Sequence, residues 1–81
     1  MAQLQRFLET LHVLGYREGD DPDEGKIFKR IEDPHRGRTH IRLGNGEGYP
    51  CLYVEFMFDP HGLFVNHAVW ESTHDAANPH P

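Results

Sequence analysis

The residues in this sequence best suited to chemistry are Cys51, His40, His67, Glu55 and Glu71. A thiol beside an imidazole that a carboxylate orients is the arrangement that lowers a cysteine pKa and makes a nucleophile. The same sulfur and imidazole donors, Cys51, His40 and His67, are of the types that hold zinc. Both readings depend on strand register rather than on a motif with fixed spacing, and a slip of one residue moves the partners to opposite faces of a sheet. A lone cysteine in a strand otherwise serves as a small apolar filler. No complete catalytic motif accompanies these residues, so the expectation is a non-catalytic protein with no cofactor and no metal, and a metal- or thiol-dependent site around Cys51 and His40 is the alternative.

Two further segments resemble ligand sites and are better explained by local structure. In the acidic stretch from Glu18 to Gly25, Asp21, Asp23 and Glu24 lack the twelve-residue spacing that surrounds calcium with six or seven oxygens. The run Gly44-Asn45-Gly46-Glu47-Gly48 is glycine-rich, but Tyr49-Pro50 and a strand follow it where a phosphate loop would need a helix N-terminus. Asn45-Gly46 is instead a strong signal for a two-residue hairpin turn.

Charge is unevenly distributed. The 81 residues carry a net charge of -5, which disfavours coating a nucleic acid by phosphate neutralisation. Between Lys26 and Arg42, however, six cations stand against only two carboxylates. Interleaved with Phe28, Tyr49 and Tyr53, they allow single-stranded nucleic-acid binding on a basic-aromatic surface as an alternative function. The seven histidines are scattered rather than run together, so they are not a tag. The longest apolar run falls far short of the roughly 18 residues needed to cross a bilayer, and no membrane association is expected. With neither an export segment nor a disulfide framework in the sequence, a cytoplasmic protein is expected.

The elements that must position these residues follow from periodicity. Leu4, Phe7, Leu8, Leu11 and Leu14 recur every three or four residues, which predicts an amphipathic helix over about 2–14 that stops at Gly15. His12 falls at the border of that stripe. Strands are predicted at about 26–32, 38–43, 51–58 and 63–71. Asp33-Pro34-His35-Arg36-Gly37 and Asp59-Pro60-His61-Gly62 supply turns with an Asx acceptor, a proline and a terminal glycine. The predicted fold is α+β: one N-terminal helix packed on one face of a four-stranded antiparallel meander, order α-β-β-β-β. It is a single domain over residues 1–71, followed by a flexible tail at 72–81.

Turn geometry then assigns faces. A three-residue Pro60-His61-Gly62 loop sets Phe58 opposite Phe64, Phe56 opposite Asn66, Val54 opposite Ala68 and Leu52 opposite Trp70, all toward the helix. The Asn45-Gly46 turn sets Thr39 opposite Leu52 and adds Ile41 and Leu43, and a five-residue loop before them adds Ile27 and Ile31. The other face is then expected to carry Phe28, Arg30 and Glu32, then Arg38, His40 and Arg42, then Tyr49, Cys51, Tyr53, Glu55 and Met57, and finally Val65, His67, Val69 and Glu71. An uncovered face this apolar implies a partner. The expected function is therefore a small interaction module that binds another protein or a second copy of itself through Arg38, His40, Arg42, Tyr53, Glu55, Met57, Val65, His67 and Val69.

Overall fold

In the computed structural model, residues 2–45 and 51–72 are described. They form one helix, α1 (Gln3–Val13), and five strands: β1 (Arg17–Glu18), β2 (Ile27–Asp33), β3 (Arg38–Gly44), β4 (Cys51–Phe58) and β5 (Phe64–Ser72). The strands lie in sequence order in one sheet, β1-β2-β3-β4-β5. The α+β class thus holds, but the sheet is five-stranded and mixed rather than four-stranded and antiparallel. The extra strand, β1, pairs parallel with the start of β2, Arg17 beside Ile27 and Glu18 beside Phe28. Two charged residues show no periodicity, so β1 gives no signal in the sequence. β5 extends to Ser72, and the remainder of the predicted tail, like Gly46 and Tyr49, lies outside the described residues.

The helix ends as its sequence requires. Gly15 adopts φ +93°, Tyr16 N–H donates to Leu11 C=O (2.8 Å), and Gly15 N–H donates to His12 C=O (3.0 Å). This double closure needs the left-handed residue that glycine supplies. Lys26 Nζ donates to Leu14 C=O (2.9 Å), placing a cation at the negative end of the helix dipole. At the other end, Leu4 N–H donates to Gly62 C=O (2.8 Å), so the β4-β5 turn receives the helix N-terminus.

Leu11, Phe28, Ile41 and Phe58 form the buried centre of the core, with Leu4, Phe7, Leu8, Tyr16, Leu43 and Phe56 packed around it. The Phe7 ring lies 4.9 Å from that of Phe56 and 5.6 Å from that of Phe58. Leu14, the last member of the predicted stripe, is the C-cap and stays exposed.

Three turns decide which residues reach this core. Thr39 pairs with Phe58 where a tight Asn45-Gly46 turn would set it against Leu52. The displacement is six residues, and because six is even, Thr39, Ile41 and Leu43 keep their face. Asp33 pairs with Arg38, so the β2-β3 loop has four residues instead of five. Asp33 remains in the strand while its Oδ1 accepts from His35 N–H (3.2 Å) and Arg36 N–H (3.4 Å). This odd displacement turns β2 over: Phe28, Arg30 and Glu32 face the helix, and Ile27 and Ile31 do not. The β4-β5 loop is Pro60-His61-Gly62 as expected, with Asp59 Oδ1 accepting from His61 and Leu63 N–H, and Phe58 pairs with Phe64. A bulge beside Met57 and Phe58 then shifts the register by one, so that Phe56 faces His67, Val54 faces Val69 and Leu52 faces Glu71.

Candidate functional site

No helix or strand among the described residues lies over the sheet face opposite α1, although the β1-β2 loop reaches its edge, where a Cβ at Gly44 would lie 2.6 Å from Pro22 C=O. Strand alternation and the observed register place Ile27, Lys29 and Ile31 on it from β2, then Arg38, His40 and Arg42 from β3. β4 contributes Cys51, Tyr53, Glu55 and Met57, and β5 contributes Asn66, Ala68 and Trp70. Two cross-strand rows run over its middle: Lys29, Arg42, Glu55, Ala68; and Ile31, His40, Met57, Asn66.

Glu55 organises this surface. Only 7% exposed, its Oε1 accepts from His40 Nδ1 and its Oε2 from Arg42 Nε, both at 2.8 Å. Burial pushes the Glu55 carboxyl up, and the hydrogen bonds from His40 and Arg42 outweigh it, leaving the group below the ordinary value of 4.5. Arg42 in turn lies over the Trp70 ring, 5.2 Å from its centroid, and the Trp70 and Tyr53 rings are 5.6 Å apart. One buried carboxylate therefore fixes an imidazole, a guanidinium and, through the guanidinium, an indole. Flanking this cluster, Lys29 and Arg38 form no ion pair among the described residues.

Of the residues expected to bind a partner, Arg38, His40, Arg42, Tyr53, Glu55 and Met57 share this face. His67 and Val69 do not, and Val65 falls at the bulge between the Phe58–Phe64 and Met57–Asn66 pairs. The bulge carries His67 and Val69 to the helix side, where His67 stacks with Phe64 at 6.4 Å between ring centroids. In their place stand Asn66, Ala68 and Trp70, which register reasoning assigned to the core. Arg30 and Glu32 also leave the face. On the helix side Glu32 accepts from Arg30 Nε (2.7 Å) and Thr39 Oγ1 (2.8 Å), and the Arg30 bond foremost holds its carboxyl below the usual range. No sequence signal marks Trp70 for this face: Ala68 and Trp70 suit an inward or an outward position equally, and the bulge decides.

The Cys51–His40 arrangement is not formed. Cys51 pairs with Ser72, while His40 pairs with Met57, six residues further along β4, a separation of about 20 Å at strand rise. The Cys51 residue is fully buried, which suits an apolar filler. Among the described residues no three His, Cys, Asp or Glu side chains are grouped as metal ligands, and no helix is long and apolar enough to cross a membrane. No protein-family model, curated protein or solved structure matches this chain.

Proposed function

We infer that this chain is a non-catalytic protein-interaction module whose open sheet face binds a partner that presents carboxylates. The observation that carries this reading is the linked set of Arg42, Trp70 and Tyr53 around the buried Glu55, with Met57 on the same face, over which no described helix or strand lies. Tryptophan, tyrosine, methionine and arginine are enriched at the centres of protein interfaces, and anchors already held in place lose little freedom on binding. Lys29 and Arg38, free of ion pairs among the described residues, supply the charge preference.

Phosphates would satisfy the same cations, so single-stranded nucleic acid is the second reading, favoured by the aromatic pair beside them. Two features weigh for protein. The net charge of -5 repels a polyanion at long range. Stacking platforms need open ring faces, yet Arg42 already occupies one face of Trp70.

Affinity capture with the wild-type chain and with a Lys29→Glu/Arg38→Glu double variant separates the readings from a third outcome. The variant should lose a protein captured by the wild type. Capture of the same protein by both would remove the open face from the account. Binding of a single-stranded oligonucleotide with affinity falling steeply as salt rises would establish the second reading instead.

A further inference from the structure

The two edges of the sheet are unlike. β1 is two residues long and both are charged, which is how an edge is protected from pairing with another chain. β5 is nine residues long, and Glu71 is the one Asp, Glu, Lys or Arg in it. No described strand lies beyond it. Its apolar residues are exposed on both faces, Phe64, Val65 and Val69 together with Trp70, and Leu52 of β4 stands beside them. Val69 is 57% exposed. Monomeric edges of this length and composition are templates for strand addition.

The edge also shows where it is free. Two N–H groups along β5 are satisfied by side chains: Phe64 N–H donates to Gln3 Oε1 (2.7 Å) and His67 N–H to Asn66 Oδ1 (2.8 Å). His67 N–H thus points away from β4, and alternation turns the N–H groups of Val69 and Glu71 the same way. The outward-facing main chain is therefore the C-terminal half of the strand.

We propose that two copies of this chain pair antiparallel through β5, with the two-fold axis at Val69. In that register Val69 meets Val69, His67 of each copy meets Glu71 of the other, and Ala68 of each meets Trp70 of the other. An imidazole opposes a carboxylate, and the smallest side chain of the strand opposes the largest, so the segment is complementary to itself, as an isologous interface requires. The outward N–H groups at 69 and 71 fall at hydrogen-bonded positions, while that of His67 keeps Asn66 Oδ1. Val69 and Trp70, both exposed in the single chain, are covered by this pairing. The dimer is one ten-stranded sheet with both helices on one side and both Glu55 clusters on the other. It does not depend on the function proposed above, because it uses the β5 edge and not the sheet face.

Sedimentation equilibrium over the micromolar to millimolar range is the test, on the wild type, Val69→Lys and Arg38→Glu. Val69→Lys sets two ammonium groups against each other at the axis while disturbing no buried residue. The wild type and Arg38→Glu are expected to be dimers, and Val69→Lys a monomer with an unchanged far-UV circular dichroism spectrum. A wild type monomeric throughout, or a folded Val69→Lys that still dimerises, overturns the proposal. Should Val69→Lys fail to fold, amide exchange of the wild type decides. Exchange at Val69 and Glu71 must slow as concentration rises, and exchange independent of concentration refutes the interface.

Discussion

Glu55 is the residue on which the open face depends. A carboxylate taken out of water is tolerated only when its lone pairs are matched, and here His40 and Arg42 each match one oxygen. Glu55→Ala leaves both partners unanswered. It should cost about 2 to 4 kcal/mol in urea unfolding, at the lower end of the range for a broken buried pair because Arg42 keeps 33% of its side chain in water. The same residue predicts a pH response. Its carboxyl is held below 4.5 in the folded chain, so its stabilising contribution is complete above the unfolded value and lost as pH falls through the folded one. The urea midpoint should therefore fall on acidification below 4.5, and Glu55→Gln should flatten that decline. An acid limb equally steep in both proteins would mean that other carboxylates control it. His40 is held by Glu55 alone: among the described residues its Nε2 is buried without a hydrogen-bond partner, with Ile31 and Met57 directly opposite on the neighbouring strands.

Among the elements, parity of the turns settles which residues are buried. Phe28 is 3% exposed in the core while Ile27 and Ile31 face the other way, so Phe28→Ala should lose about 3 to 5 kcal/mol and Ile31→Ala distinctly less. Equal losses at the two positions would contradict the observed register. Gly62 joins two elements: at φ +79°, a Cβ there would lie 2.8 Å from Ala2 Cβ, and its carbonyl receives the helix N-terminus. Gly62→Ala should cost about 1 to 3 kcal/mol, measured as a fall in urea midpoint, whereas Gly25→Ala meets no neighbouring atom and bears the backbone strain alone. The sequence made the helix stripe, its glycine stop and the Asp59 turn readable, because each is written within a few adjacent residues. It did not make the faces of β2 and β5 readable. Those depend on whether Asp33 belongs to the strand or the loop, and on a bulge for which Val65 carries no local mark. The candidate site was legible in the same measure: β3 and β4 supplied Arg38, His40, Arg42, Tyr53, Glu55 and Met57 because their displacement was even, while the β5 residues were exchanged.

For the whole molecule, α1 lies on one side of a five-stranded sheet, and no described helix or strand lies on the other. Domains usually bury both faces of an apolar sheet or make the free one polar. Among the described residues this chain does neither: Trp70, Tyr53 and Met57 stand on that face with Lys29, Arg38 and Arg42. Partner contact is expected there. Photo-crosslinking tests it most directly, with a photoreactive residue placed at Asn66 on the open face or at Glu9 on the outer, exposed side of α1, each in an otherwise wild-type chain. The Asn66 position is expected to crosslink to the captured partner and the Glu9 position is not. Crosslinks from Glu9 with none from Asn66 would contradict it.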